Sequence, residues 1–303
     1  YVGCAGGAGW EFRRVFAEQK APRGSEYWKL AVSGLAGGHS GIQIHEQLGN
    51  AIKILAQCLQ SVAGVQLAAA DGGVAHNVIP REGFLAFACG AGEGEVLRST
   101  LATLQETFLS YLPAADAALQ LDLQPCEPGE TLSVSDSRDV LDLIAVFPHG
   151  ALAYNPQSPA DLVDLSINLA VLRLDAGQFF LESSYRFFSE QQSEPLQASV
   201  MALARAWALE VTPTVGYPGW QPDFDSPLLA QAKKIHRRVF RFEPEVKAIH
   251  AGLECGIVKG KKPDLDILSF GPTIRGAHSP QERLQIDTVE PFWRFLTTLL
   301  AQM

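Results

Sequence analysis

Residues 27–60 read YWKLAVSGLAGGHSGIQIHEQLGNAIKILAQCLQ, and this stretch decides the fold. Residues 27–34 alternate apolar and polar side chains, the period-two pattern of a strand with one wet face. Gly37-Gly38-His39-Ser40-Gly41 follows, a loop whose glycines let the backbone come close to a neighbour. Over residues 50–60, Ile52, Leu55, Ala56 and Leu59 recur at helical spacing, which predicts an amphipathic helix. Working outward, residues 67–70 and 83–89 read as strands flanking the loop 72–80, and residues 95–112 as a second long helix. Strand–helix–strand–strand–helix is the order of a ferredoxin-like α+β unit.

Elsewhere the pattern is plainer. Residues 1–7 read as a short strand running into a glycine turn. A helix is expected over 139–146, paired strands over 163–174 and 178–185 joined by a turn at Asp175-Ala176-Gly177, and a helix over 195–208. Tyr217-Pro218-Gly219-Trp220-Gln221-Pro222 is a candidate boundary. Beyond it, a helix over 226–240, strands ending at 252 and covering 265–270, and a last helix over 287–302 predict an α/β layer. The fold class expected is therefore α/β plus α+β.

Of the 303 residues, 47% are hydrophobic and 19% charged, which suits a substantial core. The net charge of −9 and the short basic runs argue against a nucleic-acid or anionic-membrane surface. No apolar stretch approaches the ~18 residues of a membrane span. Five scattered cysteines without a CxxC pair indicate free thiols in a reducing cytoplasm. The chain starts at Tyr1 rather than Met, so it reads as part of a longer product.

Six residues are candidates for chemistry. His278 follows a predicted strand and a glycine loop, where a histidine can ligate a metal or simply bond nearby backbone. His39, between glycines, can donate to an oxyanion or mark a tight turn. Asn77 can orient a carbonyl or serve a turn. Arg186 can clamp a carboxylate or lie on the surface. Glu254, near Gly256, can hold an amine or a salt bridge. There is no HExxH, no G-x-S-x-G elbow and no P-loop, so a zincin helix, a serine α/β-hydrolase and an NTPase have no support.

The runs YVGCAGG, GLAGGHSG, IHEQLGNA, AHNVIPREG, YPGWQPD, IHAGLECG and GPTIRGAHSP resemble the aminoacyl-histidine dipeptidases (peptidase D) of the di-zinc carnosinase and aminoacylase-like group. The resemblance implies a zinc-peptidase α/β catalytic domain with a ferredoxin-like lid inserted into it, the lid mediating homodimers. Residues 25–208 would be the lid, 209–303 the C-terminal part of the catalytic domain, and 1–24 the last strand and linker of its N-terminal half. It implies two zinc ions per site with His278 as the last ligand. His39 would reach the substrate carbonyl, Asn77 and Arg186 would hold the substrate, and Glu254 and Gly256 would grip its termini. The substrate would be an Xaa-His dipeptide.

Two departures accompany the resemblance. Phe187 and Phe188 stand where small residues are usual in that family. The His-x-Asp and Glu-Glu pairs that bind zinc and supply the general base in that family are not in this sequence. The other readings are therefore an inert dimerisation and substrate-binding fragment or broken-gene product, and a related deacylase or dipeptidase of different specificity.

Overall fold

A computed structural model describes residues 1–155, 162–275 and 282–303. Its centre is a nine-stranded antiparallel sheet. The strands are β1 (Gly6–Val15), β2 (Glu26–Ser33), β3 (Gln66–Gly72), β4 (Gly83–Cys89), β5 (Gln120–Pro125), β6 (Gly150–Tyr154), β7 (Val163–Asp175), β8 (Gln178–Phe187) and β9 (Glu210–Tyr217). They pair in the order β9-β1-β8-β7-β3-β4-β2-β5, with β6 also on β7.

The expected ferredoxin-like unit forms one end of this sheet. Its strand order β3-β4-β2-β5, with helices α1 (Ala51–Leu59) and α2 (Glu93–Tyr111) in the βαββαβ sequence, is that topology. Helix α1 starts where the Asn50 side chain accepts the Ile52 and Lys53 N–H groups, and it buries Ile52, Leu55, Cys58 and Leu59. Gly94 lets α2 lie against Trp28; a Cβ there would sit 2.0 Å from the indole Nε1. Helix α3 (Val134–Val146) starts earlier than periodicity indicates, because Ser133 caps it by accepting the Asp136 N–H.

The β7–β8 hairpin turns at Ala176 and Gly177, both with positive φ, as a two-residue primed turn requires. The other edge of β7 is shared. Its first part, Val163 to Ile167, pairs with β6, and Leu172 to Leu174 pair with β3. Between them, side chains take over the ladder. The Leu169 N–H donates to His149 Nδ1 at 3.3 Å, and Leu169 O accepts from Asn50 Nδ2 at 2.8 Å. Lys53 Nζ closes the end of α3 by donating to the carbonyls of Ile144 and Ala145 at 2.6 and 3.0 Å, and to that of Phe147.

Three expectations fail. Strand β1 begins at Gly6 instead of turning there, since a Cβ on Gly6 would lie 2.4 Å from Gly219 N and one on Gly9 2.3 Å from Ser183 O. These glycines serve close strand approach, not a turn. Residues 265–270 are not a strand, because among the described residues their only backbone partner in another segment is Tyr1, whose carbonyl accepts from the Ser269 N–H. Residues 248–252 give a single bridge, Ile249 to Cys4. No α/β layer is therefore built among the described residues beyond 217, where helices α5 (Pro227–Phe240) and α7 (Val289–Leu300) pack through Ala232, Ile235, Phe295 and Leu299. Helices α4 (Glu190–Ala206) and α6 (Glu254–Lys261) complete the set. The sheet itself crosses both expected boundaries, since β1 and β9 pair with each other and β1 with β8. No described helix is long and apolar enough to cross a membrane.

Candidate functional site

Arg186 lies near the end of β8, in the interior of the sheet. It stands opposite Gly7 of β1 on one side and Ser166 of β7 on the other. The residue is buried, and its guanidinium is held at one corner, where Nη1 donates to Tyr217 Oη at 2.8 Å. Its Nε is buried and has no hydrogen-bond partner among the described residues. A buried charged donor left unpaired is costly.

The His39 loop sits directly on this arginine. Gly38 and His39 pair with Ile79 and Val78 in a short ladder, and the Ser40 N–H donates to Asn77 O at 2.9 Å. A Cβ on Gly41 would meet Arg186 Nε at 2.9 Å and the His250 carbonyl at 2.3 Å, so only glycine fits. The Gly41 and Ile42 N–H groups both point at His39 Nδ1, at 3.1 Å each. Nδ1 is thus an acceptor, which assigns the ring proton to Nε2. Asn168, directly opposite Ser184 in the β7–β8 ladder, ties the Asn77 turn to the sheet by donating to His76 O and Val78 O.

The structure therefore brings His39, Asn77 and Arg186 into one neighbourhood. His39 and Asn77 line one cavity, and Arg186 lines an adjoining one with Glu182, Tyr217 and Gly7. Burial raises the Glu182 carboxyl above its ordinary range, and the nearby His76 opposes that shift. Glu254 and Gly256 stand further off. Glu254 is exposed on the first turn of α6, while Gly256 packs against Pro218 and the Cys4 sulfur. His278 lies outside the described residues. Phe187 and Phe188 are buried, Phe187 in the main core and Phe188 with its ring 6.0 Å from that of His250. Their substitution for small residues changes the packing behind the site rather than its open face.

Sequence reading missed three contributors: Ser166, Tyr217 and His250. The last two stood inside quoted motifs, YPGW and IHAGLECG, but nothing in the sequence says what they touch. His250 Nε2 lies 2.7 Å from Ser166 Oγ, and burial, with the neighbouring Arg186 charge next, pushes its pKa down to about 3.

Among the described residues no group of three or more His, Cys, Asp or Glu side chains could hold a metal ion. The described residues do not fit a di-zinc centre.

A profile for the peptidase dimerisation domain (M20_dimer) matches residues 30–116, the span of β2 to α2. Over its whole length the chain is 33% identical to the cytosol non-specific dipeptidase of Escherichia coli K12, covering 63% of that protein. The aminoacylhistidine dipeptidase of Vibrio alginolyticus superposes on all of it with a TM-score of 0.92 at 28% identity, and the chain covers 62% of that structure. The chain thus spans somewhat under two thirds of the length of these relatives. The resemblance to the aminoacyl-histidine dipeptidases holds in both sequence and fold.

Proposed function

We propose that this chain is the substrate-holding and dimer-forming part of a metal-dependent dipeptidase that cleaves Xaa-His-type dipeptides. The observation that carries the reading is the contact at Gly41, where a histidine-bearing loop is seated on a buried arginine with an unpartnered Nε. His39, with its proton on Nε2, donates to the scissile carbonyl and to the oxyanion that forms from it. Arg186 takes the substrate's C-terminal carboxylate, for which a guanidinium fork is suited. Asn77 orients the peptide, and Glu254 with Gly256 grips its termini.

His278 is proposed as one zinc ligand. A catalytic zinc needs about three protein ligands and a water, so His278 alone cannot complete the site. The matched dimerisation domain supports a homodimer through a lid made of residues 25–208, and the cytosolic relative supports a cytoplasmic protein. The test is hydrolysis of Ala-His, Gly-Gly and N-acetyl amino acids by the complete enzyme with zinc present, beside its His39→Ala variant. Ala-His should be the best substrate, and His39→Ala should lower kcat by roughly 100-fold. Preference for N-acetyl amino acids would make the protein a deacylase instead. Binding of dipeptides without turnover would favour the second reading, a dimerisation and substrate-binding unit without chemistry of its own.

A further inference from the structure

His250 is a buried histidine that touches the neighbourhood of Arg186, and the proposed chemistry leaves it without a task. It is 6% exposed and sits at the start of the loop 250–253, beside the isolated bridge from Ile249 to Cys4. Its ring and its backbone meet the site separately. The ring Nε2 bonds Ser166 Oγ at 2.7 Å. Ser166 is directly opposite Arg186 in the β7–β8 ladder, so the two side chains rise side by side from the same face of the sheet. The His250 carbonyl abuts Gly41 at the point where Gly41 also meets Arg186 Nε.

The same loop reaches the arginine a second time. Gly252 packs on the ring of Tyr217, where a Cβ would lie 2.6 Å from Cε2, and Tyr217 Oη accepts the hydrogen bond from Arg186 Nη1. Arg186 is thus flanked by two side chains, Ser166 and Tyr217, each backed by this loop. The imidazole is the part of that arrangement with no packing duty that an apolar side chain could not fill. Its Nε2 serves Ser166. A second cation at this place would repel the guanidinium, and burial keeps the ring neutral, so it supports the arginine without competing for an anion.

We propose that His250, acting through Ser166, is a positioning residue that sets the Arg186 guanidinium for a free α-carboxylate at the C-terminus of the substrate. The inference rests on the reading of Arg186 as the carboxylate-binding residue. It makes the His250–Ser166 pair a determinant of selectivity for peptides with a free C-terminus over those in which it is amidated. His250 itself does not touch the substrate.

The test is equilibrium binding of Ala-His and of its C-terminal amide, by calorimetry on the zinc-depleted protein, so that turnover does not interfere. The parent should prefer the free carboxylate, and Arg186→Ala should abolish that preference. Ser166→Ala, which removes one hydroxyl, and His250→Leu should each weaken Ala-His binding about tenfold, the net worth of one buried hydrogen bond, and leave the amide unchanged. His250→Gln, whose amide reaches the Nε2 position, should restore most of the preference. Equal losses for both ligands in Ser166→Ala, or no loss for either, would overturn the inference while Arg186→Ala still behaves as expected. A parent without preference, or an Arg186→Ala that keeps it, would overturn the reading of Arg186 and the inference with it. Thermal melts of Ser166→Ala and His250→Gln separate misfolding from lost positioning.

Discussion

Lowering the pH from 7.5 to about 5 should destabilise this protein through His149, and the size of the loss follows from what surrounds the ring. His149 Nδ1 accepts the Leu169 N–H in the gap between β6 and β3, so the ring must stay neutral to do its work. Burial, with the Lys53 charge next, holds its pKa down at about 4, against 6.5 for an unperturbed histidine. Below pH 6.5 the unfolded chain takes up a proton that the folded ring refuses. Stability from this group is therefore complete above 6.5 and is lost as the pH falls toward 4. At pH 5 the difference in proton uptake amounts to about 2 kcal/mol, and at pH 4 to about 3 kcal/mol. His149→Asn keeps an acceptor close to where Nδ1 stands but cannot titrate. Urea unfolding at pH 7.5 and 5 should show the parent losing about 2 kcal/mol more than His149→Asn. His250 titrates in both proteins, so its contribution cancels in the comparison. Equal losses in the two proteins would refute the assignment of the acid sensitivity to His149.

Two further substitutions probe the frame that carries the site. Asp116 is fully buried, and its two oxygens accept the Ala36 and Gly49 N–H groups at 2.8 and 2.7 Å, bracing both ends of the segment that holds His39. Asp116→Ala leaves both donors orphaned and should cost about 3 kcal/mol in urea unfolding; a loss under about 1 kcal/mol would contradict that bracing role. Gly94→Ala places a Cβ 2.0 Å from Trp28 Nε1, so it should lower the Tm by the equivalent of about 1–3 kcal/mol of overpacking, although alanine is the better helix former. A raised Tm would show that α2 can slide off the indole at no cost.

The ferredoxin-like unit was legible because its periodicities are long and its two helices sit between alternating strands. Strands β5 and β9 were not, since each lies at an edge of the sheet and β9, EVTPTVGY, buries none of its residues fully. Residues 265–270 show the opposite error: an apolar run reads as a strand, but a strand exists only where another offers it a ladder. In the site, His39, Asn77 and Arg186 were given their roles by the family resemblance, not by residue type alone. Their mutual geometry was not legible, because it depends on contacts such as Ser166 to His250 across 84 residues and Arg186 to Tyr217 across 31. Local pattern carries no record of which loop closes over which strand.

Gly7 pairs with Arg186 on one side and Tyr217 on the other, and a Cβ at residue 7 would come within 2.8 Å of the Tyr217 hydroxyl. The phenol that anchors the arginine thus occupies the room that a side chain on the neighbouring strand would claim. Size at position 7 and reach at position 217 trade against each other. A side chain at residue 7 would push the Tyr217 ring aside, and the anchor with it. Two positions without catalytic chemistry of their own are in this way sterically coupled to the arginine they flank.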